Sequence, residues 1–591
     1  MNRSHPQSTG HTCPTVGWPL SGLLLAIVGA ALSVSMHTPS VSASRGTRAD
    51  PFMLGFSLPV SAAAPVQERT GWFVVLWGDD FRRTPFQGRI RYLFIDDQST
   101  WWRLRVPPAI WHRIGSPLQW NRRRVRIYFR SAGPLGGPFL RTMSLEVIDI
   151  VPEPAPTVPA PAVPRRSSWV TILCRFADAR TDTPEPVSFF YRLIGAEYPG
   201  LQHYWQEVSY DQVTTEGSRI VGWFNLPHPR SYYVPGQEAD LDRLLEDCAR
   251  LADPQIDFPQ FDGINLVFNR SLDCCAWGGS STFRADGQTR LYRVTWLPRW
   301  AIHNQRIWAH EMGHGFGMPH SSPYDSFWDV MSGGSCRVQS REFGCIGVHP
   351  IAPFKYLVGW IPASRVLTVR PPIDRQIHLT RLAQPPDQGF LLVRIPIPGT
   401  GGDAYTLESR MQIGYDEGVP GEAVIVHRTF ARLESNGTGA EVIDGDNNGD
   451  LNDAGAMWQP GEHLILESPP LQIFIVRQAA SGFDVILTSR PTFMLESCAP
   501  ETLPLLLPMS RCTLRSVNQF HGNVTFRCTR MPPGGTCIFR PNPVSLEPGR
   551  TADTVLAVQI PLNLASGTYP VTIVATARGI RREITVYLHV P

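Results

Sequence analysis

Lysine is almost missing from this chain: Lys355 is the only one, and every other member of its 54 basic residues is arginine. Arginine keeps its charge and hydrogen-bonds as a fork, but a bias this global is compositional and assigns no function. Net charge is scarce as well, and a formal +3 over 591 residues asks for no nucleic-acid partner. The apolar run from Leu20 to Val34 is short for a membrane span and is broken by Ser21 and Gly22. Composition excludes disorder, since 42% of the residues are hydrophobic and only 18% charged. One core cannot serve a chain of this length, and the size prior points to about three to five domains.

What the N-terminus does hold is an export signal. Arg3 and His5 lie in a polar lead, the apolar run follows, and Val41-Ser42-Ala43 offers a small-residue cleavage site before Ser44. Residues 1–43 therefore read as a signal peptide and the mature protein as secreted and extracellular, with an uncleaved anchor as the alternative. Loss of that segment removes Cys13 and leaves ten cysteines. An even number in an exported protein favours disulfides. Cys336 and Cys345 flank a short loop, and Cys498, Cys512, Cys528 and Cys537 are confined to the C-terminal region. Local pairs are expected in both places, with Cys174, Cys248, Cys274 and Cys275 pairing among themselves. Spacing leaves the connectivity open.

Residues 44–65 are rich in Ser, Ala and Pro and read as a mobile leader. From 66 to 150 come short alternating runs punctuated by Gly, Pro and Asp, the pattern of a small β-barrel or sandwich. Its aromatics, Trp72, Trp77, Trp101, Trp102, Trp111 and Trp120, read as core, the alternative being a sugar- or peptide-binding surface. Residues 151–166 have proline at almost every other position and form a semi-rigid linker. A strand at Val170 to Phe176 opens the region 167–364, where Ala239 to Leu251 has helical spacing and Gly263 to Asn269 reads as a strand. Strand periodicity returns over 365–490, an all-β module, and again over 491–591.

The chemistry is concentrated between Trp308 and Ser332. His310, Glu311, His314, Gly317 and His320 spell HExxHxxGxxH, and Met331 follows. Residues four apart on a helix lie about 40° apart around its axis, so His310 and His314 can direct two imidazoles at one metal ion. Gly317 supplies the backbone freedom needed for the helix to stop and for His320 to return as a third ligand. Three protein ligands leave an open position for water, the mark of a catalytic rather than a structural zinc. Glu311 would reach that water.

This segment resembles the metzincin zinc proteases, in which the histidine set is followed by a methionine turn, here Asp329-Val330-Met331-Ser332. The resemblance implies that Met331 supports the three histidines without ligating the metal. The stretch GLQHYWQEVSYDQVTTEGSRIVGWFNL (200–226), the segment HPIAPFKYLVGWIP and YTLESRMQIGYD, with Glu408 and Arg410, are similar to the immune-inhibitor-A-like branch of secreted bacterial metalloproteases. The likeness spans residues 168 to 488. It implies a substrate-pairing edge strand just before the zinc helix, for which Arg290 to Trp296 is the candidate. Lys355, within the likeness, reads as a solvated side chain. Residues 491–591 are similar to the Ig-like sandwiches appended to such enzymes.

One more cation site is a candidate. Asp444, Asp446, Asn448 and Asp450 fall at alternate positions around Gly449, the pattern of a calcium loop, although Gly455 stands where an EF-hand needs Glu and no flanking helices are evident. The expected architecture is a multidomain α+β chain, in which a metzincin-like zinc protease domain (a mixed sheet plus the active-site helix) is flanked by all-β modules. The expected function is a secreted zinc endopeptidase that cleaves extracellular proteins by a metal-activated water. Glu311 acts as general base, with Tyr324 as a candidate oxyanion helper. The cofactors are Zn2+ and, at the acidic loop, Ca2+. The partner is a protein or peptide substrate, with a surface or matrix contact through the C-terminal domain and no membrane anchor after signal cleavage. Competing readings are an exported adhesin with an inert zinc site and a zinc glycopeptidase acting on mucin-like chains. No cysteine-bearing switch peptide precedes the catalytic region, and removal of residues 44–166 as a propeptide is left open.

Overall fold

The computed structural model describes residues 65–591 apart from 83–86, 135–142, 154–165, 286, 323–324, 335, 434–436 and 562. The segments read as a signal peptide and leader, apart from Pro65, and most of the Pro-rich linker lie outside the described residues, as does Tyr324. With 17% helix and 45% strand distributed over several sheets, the chain is of mixed α+β class with β-rich modules.

The first module is a barrel. Strands β1 (Gln67–Asp80), β2 (Gln87–Asp96), β3 (Trp101–Arg105), β4 (Arg123–Pro134) and β5 (Met143–Pro152) pair in the order β2-β3-β5-β4-β1, and β1 also pairs with β2, which closes the ring. Alternation along β1 explains how one strand serves two cores. Phe73, Val75 and Trp77 fill the barrel, while Val74 and Leu76 face the region that follows the linker. The tryptophans are core, as read: Trp77 and Trp101 are buried, and Trp102, Trp111 and Trp120 pack around the barrel interior.

The region that carries the histidine motif adds β6 (Trp169–Arg175), β7 (Arg219–Asn225), β8 (Gly263–Phe268), β9 (Ala276–Ala285) and β10 (Gln288–Leu297). Together with the barrel they make one ten-stranded sheet in which β1 meets β9 and the order continues β9-β10-β8-β6-β7. β6 is apolar along nearly its whole length because both of its faces are covered. Helix Leu241–Ala252, N-capped by the Asp240 side chain, covers one face. Helices Val187–Leu193, Leu201–Val208 and Gln305–Phe316 cover the other.

The structure corrects the edge strand. Arg290 to Trp296 lies inside β10, between β9 and β8, because β9 and β10 form a hairpin that places β9 on the outside. Of these five strands the outer two are β7 and β9, and β1 covers β9 through Trp77, Gly78 and Asp79.

Beyond residue 365 a six-stranded and a four-stranded sheet share one core. The six-stranded sheet is edged by β11 (His320–Ser322), which runs parallel to Thr438–Val442. Residues 492–591 form two further sheets around a separate core. All ten described cysteines are paired, as Cys174–Cys248, Cys274–Cys275, Cys336–Cys345, Cys498–Cys512 and Cys528–Cys537. Among the described residues no helix is long and apolar enough to cross a membrane.

Candidate metal centre

The motif helix, Gln305–Phe316, begins where the Asn304 side chain accepts a hydrogen bond from the Ile307 amide and stops at Gly317, whose φ is 104°. A Cβ on Gly317 would meet nothing within 4 Å, so it is the left-handed backbone that requires glycine there. The chain then turns, and β11 carries His320 back beside the helix, where the His320 amide donates to Gly437 O (3.3 Å). Met331 lies directly beneath: a Cβ on Gly313 would sit 2.5 Å from its sulfur.

All three imidazoles are buried. His310 Nδ1 donates to Val330 O (2.7 Å) and His314 Nδ1 to Met318 O (2.8 Å). A carbonyl only accepts, so Nδ1 holds the proton in both rings and Nε2 presents a lone pair. Burial depresses both groups, His314 to about 3, and so keeps them in the neutral ligand form. Their Nε2 atoms are 3.1 Å apart with no proton between them. Two lone pairs at that distance repel unless a cation lies between them.

A fourth group comes from the barrel. Asp79, buried at the end of β1, places one carboxylate oxygen 2.9 Å from His320 Nε2 and the other 3.3 Å from His310 Nε2 and 3.5 Å from His314 Nε2. These four side chains form a buried group able to bind a metal. Three imidazoles and a carboxylate are a donor set that suits zinc. Neighbours of Asp79 hold it in place. Trp77 stacks on His314 with ring centroids 4.7 Å apart, Phe81 meets His310 edge-on at 5.0 Å, and the Arg82 guanidinium donates to Cys274 O (2.8 Å). A Cβ on Gly78 would fall 2.6 Å from the Trp277 ring, so the close approach of β1 to β9 needs glycine here.

No protein-family model matches this chain, and no curated protein does.

Glu311 is fully buried next to His310, and neither of its carboxyl oxygens has a hydrogen-bond partner among the described residues. Burial, and then the charge of Asp79, push it well above the usual carboxylate range. A buried carboxyl without partners costs stability and calls for an explanation other than packing.

Behind the histidines lies a second buried cluster. Asp329 accepts from the Met331 amide (3.0 Å) and shapes the turn. The Arg410 guanidinium donates to Trp328 O and is paired with Glu408 (2.9 Å) and Asp416. Asp416 in turn accepts from the His349 amide (3.1 Å). Lys355, expected in solvent, is fully buried: its ammonium lies 2.7 Å from His349 Nδ1 and 3.1 Å from the Tyr210 hydroxyl, and burial lowers it to about 7. The correction has a simple cause, since the carboxylates of Asp416, Glu408 and Glu207 surround the site.

The acidic loop is exposed, and its side chains shape its own turns. Asp444 accepts from the amides of Asp446, Asn447 and Gly449, Asn448 accepts from Asp450, and Asp450 accepts from Asn452. The carboxylates of Asp444, Asp446 and Asp450 are not among the groups of three gathered within 4.8 Å in the described residues. The other such group, Asp273 with Cys274 and Cys275, has its sulfurs in a disulfide.

Asp79 escaped the sequence reading. Its only signal is a polar pair, Asp79-Asp80, closing an apolar strand, which reads equally well as the strand's solvent end.

Proposed function

We propose that this chain is a secreted zinc endopeptidase of metzincin-like architecture, held inactive by its own N-terminal barrel. The observation that carries the reading is Glu311, a buried carboxyl with no hydrogen-bond partner among the described residues, beside three imidazoles whose Nε2 atoms converge. When bound, zinc would polarise the scissile carbonyl and acidify water. Glu311 would take the proton from the attacking water and hand it to the departing amine. His310 and His314 keep their ligand tautomers through Val330 O and Met318 O. β9 would offer its edge to an extended peptide once β1 has left. In the intact chain Asp79 fills the position that water needs, and Trp77 and Gly78 cover the edge.

A second reading has an observation of its own. Four protein ligands make a closed site, which is the mark of a structural zinc, and an exported adhesin would need no more. The mucin glycopeptidase finds no such support, because the N-terminal aromatics are occupied as core. Calcium at Asp444, Asp446, Asn448 and Asp450 rests on their alternate spacing and exposure.

Casein cleavage decides between the two readings. Asp79→Ala in the intact chain should raise chelator-sensitive cleavage by about tenfold or more, and Glu311→Ala added to it should remove that gain. An Asp79→Ala protein that holds zinc yet cleaves neither casein nor short peptides, even after limited proteolysis has removed the barrel, would establish the structural site instead.

A further inference from the structure

We infer that the C-terminal sandwich docks on anionic lipid bilayers through the loop Leu505–Leu507. These three leucines, set between Pro504 and Pro508, are 38%, 100% and 64% exposed, and Leu506 is the most exposed large hydrophobic residue among those described. Apolar side chains consecutive in sequence and open to water need a partner.

The sheet behind the loop is graded. Met509 pairs with Ala557 and Ala557 with Ile538, so these three side chains share a row on the outer face next to the loop, and Ile538 is 42% exposed. One row further from the tip, about 7 Å along the strands, Arg511 pairs with Val555 and Val555 with Arg540, and both arginines are exposed. Tyr587, 45% exposed and paired with Thr502, flanks the loop from the other sheet. Passing away from the tip, one meets leucine, then an apolar row, then arginine, with a tyrosine alongside. This is the order in which a bilayer presents hydrocarbon and then phosphate.

Charge selects lipid as the occupant. Residues 492–591 hold nine arginines against five carboxylates, while the whole chain is only +3, so this domain carries the entire surplus. Exposed leucines backed by Arg511 and Arg540 suit a soft anionic surface. The inference does not rest on the metal centre.

Vesicle flotation of the full chain tests it. The protein should float with phosphatidylcholine vesicles containing about one third phosphatidylglycerol and bind pure phosphatidylcholine at least tenfold more weakly, with the difference shrinking as salt rises. Leu506→Ser with Leu507→Ser should lower binding to the anionic vesicles by about tenfold or more. Arg511→Gln with Arg540→Gln should lower it to a similar degree without altering binding to neutral vesicles. Both pairs are on the surface, and unchanged thermal melts will show that the domain still folds. The inference fails if neither vesicle is bound or if the leucine variant binds as well as the parent. It fails too if the leucines instead drive self-association in the ultracentrifuge without vesicle binding, which would assign the tip to a protein interface.

Discussion

The N-terminal barrel and the module beyond residue 365 both reach the candidate metal centre, and they are tied to it in different ways. The barrel has its own interior and meets the motif-bearing region through apolar side chains of β1 and β2, a three-residue pairing with β9, and the carboxylate of Asp79. The module is joined by the strand that bears His320 and by the wholly buried Glu408, Arg410 and Asp416. The first is an occupant, whose one contribution to the histidine group, Asp79, a single substitution removes. The second is the frame, since His320 lies on an edge strand of its sheet.

The largest effect should come from a residue belonging to neither. Glu311→Ala in a chain already opened by Asp79→Ala is expected to lower peptide cleavage by about 10³-fold while zinc, measured by mass spectrometry, stays bound. Cleavage that survives this change would remove the general base from the mechanism.

The frame can be broken from a distance. Arg410→Met leaves Glu408 and Asp416 buried without their cation, which should cost about 3–5 kcal/mol and lower Tm by about 10 °C, with zinc retention falling alongside. Asp79→Ala should leave Tm and zinc content nearly unchanged. If the two variants lose zinc equally, the distinction between frame and occupant is wrong.

Lys355 sharpens the same contrast through pH. Its folded value of about 7 lies below an unfolded value of about 10.4, so between those limits the unfolded chain binds more protons. Stability should therefore rise with pH from about 7 to about 10, and the cost of burying the charge is fully present below 7. Urea midpoints measured across that range should show a flatter rise in Lys355→Met. An unchanged slope would assign the pH dependence to other groups.

The smallest effect is expected at the acidic loop. Asp444→Ala with Asp446→Ala, or calcium removal by a selective chelator, should lower Tm by about 2–4 °C and leave cleavage nearly intact. The loop is tied to the methionine turn by Asn452, which accepts from the Phe327 amide (2.8 Å). A large loss of cleavage would mean that calcium shapes the site itself.

Legibility followed the distance between interacting residues. His310, Glu311, His314, Gly317 and Met331 lie within about six turns' length of chain, and helical periodicity relates the first three without further information. The helix at Leu241–Ala252 and the strands β6 and β8 were readable for the same reason, because local periodicity reports which face is covered. Arg290 to Trp296 misled because an apolar strand reveals that it is buried but not which neighbours bury it. Lys355 misled because its partners, Tyr210, His349 and Asp416, come from three separate segments.

The sequence by itself determined the three histidines, the glutamate beside them and the glycine that turns the chain, since each is a requirement of one helix and its exit. Only the tertiary structure decided that Asp79 is the fourth group, that β9 rather than β10 is the covered edge, and that the last histidine belongs to a sheet built from the module beyond residue 365. The physical reason is common to all three. Strand pairing and buried charge join residues far apart in the chain, and no local period records such a partner.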